Sequence, residues 1–157
     1  MPNFSTHRII NYITLFLFLF IYFYTITEGK LDINEILVNF EQYYRQILIF
    51  IASYILGTEL LSPDLDINSI PSKRLGIIYL PIRWLYGPHR GKLHSLFIGW
   101  IAQVFYLVLI GTIIWFILGK FGYNLEVFKY IDTDDIIDFL LGLFLSDGVH
   151  IITDKII

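Results

Sequence analysis

Residues 96–118 form a run of 23 positions in which only Gln103 and Thr112 interrupt apolar and glycine residues. A segment of this length needs an apolar environment along its whole extent, and about 20 such residues cross the hydrocarbon core of a bilayer as a helix. A second run covers residues 9–26, where Asn11, Thr14 and Thr25 are the polar interruptions. It exceeds the ~7–15 residues of a signal-peptide apolar region, and no small-residue cleavage site follows it, which favours a span over a cleaved leader. The chain as a whole is 56% hydrophobic and 18% aromatic over 157 residues, against about 45–50% apolar in soluble domains. So short a chain cannot hide that surplus from water in one core, so the lipid bilayer is the expected partner.

The net charge of -3 supplies no basic face and argues against nucleic acid as a partner. There are no cysteines, which excludes disulfides, thiolate ligands and thiol catalysis. Any metal must be held by imidazole and carboxylate.

The expected fold is all-α: a small membrane-embedded bundle forming one domain over 1–157. Its main helices are placed at about 9–26, 35–59, 96–118 and 134–155. Residues 62–95 form an irregular connector holding four of the five prolines, Pro63, Pro71, Pro81 and Pro88, a density that no long helix tolerates. The second helix is polar on one side of its first half (Glu41, Gln42, Arg45, Gln46), so it reads as amphipathic, packed on the first helix and a poor span by itself. Asn34 is the expected cap of that helix, and Asp132 or Thr133 of the last.

If the four helices alternate in direction, His7, the connector and the end of the last helix meet at one edge. Lys and Arg sort with that arrangement. Seven (Arg8, Lys73, Arg74, Arg83, Arg90, Lys92, Lys155) fall on the connector side and four (Lys30, Arg45, Lys120, Lys129) on the other. An excess of basic residues marks the cytoplasmic face, so the connector edge is expected there.

That edge holds the residues with chemistry to offer. His150 and Asp154 are four apart on one helical face, with Asp147 three residues before His150 on nearly the same line. Charged groups on an apolar, membrane-embedded helix are costly unless paired or coordinated. Asp64 and Asp66 stand two apart in a proline-started turn, close enough to reach a common ion. His89 and His94 are five apart and share a site only if Gly91 bends the chain between them. With His7, these are seven candidate ligands: His7, Asp64, Asp66, His89, His94, His150 and Asp154. One zinc takes about four, so one or two divalent ions are expected, and imidazole with carboxylate suits Zn, Mn or Fe. Arg90 and Asp147 are the expected catalytic residues; Arg90, with Lys73 and Arg74 nearby, would hold an anionic small-molecule or lipid substrate. Against this stands the plainer view that single histidines at helix ends are caps or surface groups, and that Asp-x-Asp in a loop is turn chemistry.

The order Thr6–His7, then SPDLDINS at 62–69, HRGKLHS at 89–95 and DGVHIITD at 147–154 resembles the uncharacterised metal-binding membrane proteins. It is similar also to their relatives, the bacterial inner-membrane metal-dependent hydrolases, whose LexA-regulated members share an HRG-x-[ST]-HS pattern. The resemblance implies a multi-helix membrane protein with a His/Asp metal centre on the seven ligands named above. Ser69, Arg90 and Ser95 would support them from behind. Leu93 stands where the pattern has Ser or Thr, so a hydroxyl that would orient His94 is missing.

Two functions compete. One is a metal-dependent hydrolase of a phosphoester or other ester at the cytoplasmic face. The other is a non-enzymatic metal-binding membrane protein whose ion is structural, stored or sensed.

Overall fold

The computed structural model describes residues 4–27, 29, 32–66, 69–86, 95–123 and 130–157. Among them are six α-helices and no strand: α1 (Phe4–Ile26), α2 (Ile33–Glu59), α3 (Ile70–Leu75), α4 (Leu80–Tyr86), α5 (Leu96–Lys120) and α6 (Thr133–Ile156). The four long helices lie where the apolar patterning puts them. The first begins earlier than the apolar run does, so His7 sits inside α1 and not at its mouth. The connector is less irregular than its prolines imply. It folds as a 3-10 turn at Pro63–Asp66, then α3, a 3-10 turn at Gly76–Tyr79 and α4. Pro71 and Pro81 each occupy the first turn of a short helix, where a missing N–H costs nothing.

Local hydrogen bonds fix the helix starts. Asp32, not Asn34, caps α2, and its side chain accepts from the Asn34 N–H at 2.7 Å. Asp132 caps α6 in a reciprocal pair with Asp135, and Asp135 also receives Arg45 of α2. Ser69 and Ser72 cap α3 in the same reciprocal way.

α2 packs most extensively on α6, not on α1, and small residues are the reason. A Cβ on Gly142 would stand 2.0 Å from Ser53 Oγ and 2.6 Å from the Phe50 carbonyl oxygen, and one on Gly57 would stand 2.9 Å from Ser146. The Thr58 and Ser146 hydroxyls complete the seam at 3.0 Å. The partners Arg45–Asp135, Ser53–Gly142 and Gly57–Ser146 advance together, so α2 and α6 run parallel. α1 runs antiparallel to both, with Tyr54 of α2 donating from its hydroxyl to Asn11 and Phe18 beside Tyr54. α5 packs on α6 with Trp100 against Phe144 and donating to the Leu140 carbonyl at 3.3 Å. A buried cluster of Leu61, Leu65, Ile82, Ala102, Tyr106 and Leu143 joins the connector to α5 and α6.

Among the described residues, three helices are long and apolar enough to cross a membrane: Phe4–Thr25, Leu96–Lys120 and Thr133–Ile156, with mean hydropathies of 1.5, 2.4 and 1.7. α2 is not among them. α5 buries Gly99, Ala102, Gln103 and Tyr106 and leaves Phe97, Ile101, Phe105 and Val108 exposed, so its outward face is apolar.

At the connector end, Glu59 ties three helices together. Tyr12 donates to its Oε1 at 2.6 Å, Arg8 Nε lies 2.6 Å from the same oxygen, and Arg74 pairs with Oε2. Burial by itself would raise the Glu59 pKa. The hydrogen bonds from Tyr12 and Arg74 and the charges of Arg8 and Arg74 outweigh it and hold the carboxyl below its ordinary value of 4.5.

Two measurements check these interactions. Gly142→Val is expected to lower stability by about 1–3 kcal/mol through overpacking, seen as a reduced melting temperature. Gly111→Ala on α5, with nothing within 4 Å of its Cβ, is expected not to lower stability and to raise it by up to about 1 kcal/mol through helix propensity. The stability difference between the native chain and Glu59→Gln is expected to be full above pH 4.5 and to vanish as the pH falls through the lowered folded-state value, because a depressed carboxyl stabilises only while ionised. Melting curves from pH 7 to 3 read this directly.

Candidate metal centre

The parallel run of α2 and α6 carries the end of α2 alongside the last two turns of α6. The chain leaves α2, passes Ser62 and enters the 3-10 turn, so Asp64 arrives opposite His150. α1, running the other way, brings His7 to the same place. Four side chains from three segments converge. His7 Nε2 lies 3.1 Å from Asp154 Oδ1. His150 Nε2 lies 3.5 Å from Asp64 Oδ2 and 3.7 Å from Asp154 Oδ2. The two imidazoles stack with centroids 4.0 Å apart and planes 14° apart, and both histidines are buried, at 3% exposure. The two carboxylates remain slightly open, at 16% and 12%.

These separations fit a shared cation. Metal–nitrogen and metal–oxygen bonds of about 2.0–2.2 Å at a tetrahedral ion imply neighbouring ligand atoms about 3.3–3.6 Å apart. One ligand atom each from His7, His150 and Asp154 lie within 4.8 Å of one another. Asp154 presents one oxygen to each ring. The His7 Nδ1 is buried with no hydrogen-bond partner among the described residues. The donor set is hard to borderline and suits the divalent ions that imidazole and carboxylate share.

Ser62 stands behind the cluster. Its Oγ lies 3.3 Å from His150 Nδ1 and 3.4 Å from the Asp64 backbone nitrogen, and the residue is 1% exposed. With Nδ1 protonated and donating to Ser62, the lone pair of His150 is left on Nε2, the atom facing the two carboxylates. A hydrogen bond of this kind to the remote nitrogen fixes tautomer and ring orientation in metal-binding histidines. Ser69 supports the same turn by donating to the Asp64 carbonyl at 2.9 Å.

Of the seven ligands proposed from sequence, His7, His150 and Asp154 come together within reach of one ion, and Asp64 lies beside His150. Asp66 closes the 3-10 turn, and its side chain lies outside the description. His89, His94 and Arg90 lie outside the described residues, as does Leu93. Asp147 is on α6 but is buried on the side facing Gln103 of α5. Ser95 precedes α5 and makes no capping bond with its side chain. Sequence reasoning missed Ser62 and Gln103. Ser62 opens the SPDLD segment one residue before its proline, a position that reads equally well as a turn.

A family profile described as "Uncharacterized metal-binding protein (DUF2227)" matches residues 2–157. The chain belongs to this family. A protein of Aquifex aeolicus (strain VF5), described only as uncharacterized, is 33% identical over 119 residues, covering 64% of this chain and 84% of its own length. No solved structure matches the chain. The family's metal-binding description and the His/Asp cluster agree on the kind of ligand.

For this member of the metal-binding family, Ser62→Ala is expected to weaken divalent-ion affinity by about 10–100-fold, measured by competition with a chromogenic chelator. An unchanged affinity would remove Ser62 from the site.

Proposed function

We propose that this protein is a multi-pass membrane protein that binds a divalent ion through His7, Asp64, His150 and Asp154 at the cytoplasmic face and hydrolyses a phosphoester or other ester there. The observation that carries this reading is the meeting of two stacked, buried imidazoles with two carboxylates from α1, the connector and α6. Zinc, manganese or iron suits the set, and His89, His94 and Asp66 are the candidates for holding a second ion beside the first. The excess of Lys and Arg on the connector side supports the cytoplasmic orientation.

A divalent ion in such a site supplies Lewis acidity towards an ester or phosphoryl oxygen and makes water more acidic. The chain's own residues do the rest. Asp154 holds both rings in register, Ser62 sets the His150 tautomer, and Asp64 is held in place by the backbone contacts of its turn. Arg90 remains the proposed clamp for the substrate's anionic group. The relation to the LexA-regulated inner-membrane hydrolases is part of this proposal and rests on the motif order.

The burial of both imidazoles favours a second reading, in which the ion only fastens α1, the connector and α6 together. The two separate in one experiment. Elemental analysis of detergent-purified protein is expected to find one or two equivalents of a divalent metal, lost in His150→Ala. The hydrolase reading then requires chelator-sensitive cleavage of a generic phosphoester or a lipid phosphoester. A chelator that lowers the melting temperature of a protein without such activity supports the structural ion, because an ion bound only to the folded state raises stability. No metal in the native protein contradicts both.

A further inference from the structure

The ion cluster has a second charged constellation at its own end of the bundle. Arg8 follows His7 directly in α1, and Arg74 reaches over from α3. Both arginines engage one carboxylate, Glu59, which also accepts the Tyr12 hydroxyl. Arg74 Nη1 donates in addition to the Glu59 carbonyl oxygen at 3.3 Å. Each guanidinium lies near an aromatic ring: Arg8 5.7 Å from the Tyr12 centroid and Arg74 5.3 Å from that of Phe4.

The charges do not balance. Two cations meet one anion, which leaves a formal excess of +1, and the exposed Lys73 lies next to Arg74 in the same helix. The exposures are unequal too. Glu59 is 15% exposed, but Arg8 is 46% and Arg74 38% exposed. Each guanidinium carries five N–H donors, and a single carboxylate cannot use them all. The inner edge of the pair is held by Glu59 and the outer edge faces the solvent or headgroup side. Planar forks so held are suited to the tetrahedral oxygens of a phosphoryl group. This end of α1 is also the end of a helix long and apolar enough to cross a membrane, the level at which lipid phosphates lie.

We infer that Arg8 and Arg74 form a clasp for a phosphoryl anion, with Glu59 as the internal carboxylate that aligns the two guanidiniums and competes with the anion for them. As a substrate site the clasp rests on the hydrolase reading; as an anion site it stands on Arg8, Tyr12, Glu59 and Arg74 themselves. The phosphoryl group can belong to a lipid headgroup or to a soluble ester.

The test measures binding of short-chain phosphatidic acid, and separately of inorganic phosphate, to the full chain in neutral detergent micelles, with metal content assayed in parallel. The double variant Arg8→Gln/Arg74→Gln is expected to lose affinity by about 10–100-fold, as expected for the loss of one or two charge-assisted hydrogen bonds. Glu59→Gln is expected to gain affinity by several fold, because it removes the competing charge and keeps a hydrogen-bonding side chain. The opposite signs distinguish a clasp from general loss of structure. Arg8→Lys/Arg74→Lys, which keeps the charge without the fork, is expected to fall between the native chain and the double Gln variant. Binding of the lipid alone places the phosphoryl group on a lipid; binding of both probes opens the clasp to soluble esters as well. Equal affinity in the native chain and both double variants, or no binding of either probe to the native chain, overturns the clasp. A native chain that binds phosphatidic acid but contains no metal leaves the clasp standing and removes the hydrolase reading.

Discussion

The close approach of α2 to α6 is the contact on which the rest of the molecule depends. Gly142 and Gly57 let the two helices run side by side with Ser53, Thr58 and Ser146 filling the seam. Because the helices are parallel, their last turns end together. The chain leaving α2 therefore delivers Ser62 and Asp64 to His150 and Asp154 within a few residues. A wider separation would leave the histidine and aspartates of α6 facing apolar side chains, where unpaired charge is costly. The seam and the cluster are thus one arrangement seen at two levels: small residues set the distance, and polar residues occupy the end that this distance creates.

Polar side chains elsewhere in the bundle follow the same economy. Arg45 and Asp135 close the far end of the α2–α6 pair, and Arg8, Tyr12, Glu59 and Arg74 close the near end beside the candidate ligands. Between these ends the long helices are apolar, and α5 keeps most of its surface outward. Gln103 and Asp147, on facing sides of α5 and α6, join Asn11, Ser53, Thr58 and Ser146 as buried polar groups inside the bundle. The layout holds the candidate ligands at one rim of the bundle.

Much of this was legible in the sequence. The runs at 9–26 and 96–118 announce helices by length and polarity, and the Asp132 to Asp135 pattern announces the start of α6. The i, i+4 pair His150 and Asp154 could be placed on one face before any fold was known, and the alternation of helix directions brought His7 and Asp64 to the same edge. Asp147 lies close to the ligand line in helical register, yet it is buried with Gln103 of α5 on its side of the helix. The partner of α2 was also hidden. Amphipathicity shows that a helix needs a partner, but the choice of α6 over α1 depends on Gly57 and Gly142, whose effect appears only when two backbones meet. Ser62 and the Arg8–Glu59–Arg74 group were out of reach for the same reason, since their contacts join segments distant in the chain.

The central claim is that imidazoles from the first and last helices share one ion with carboxylates. X-ray absorption spectroscopy of the metal-loaded protein tests it most directly. The account predicts a first shell of nitrogen and oxygen only, with the multiple-scattering signature of imidazole diminished in His7→Gln and again in His150→Gln. A shell without imidazole, or one that neither substitution alters, would contradict it.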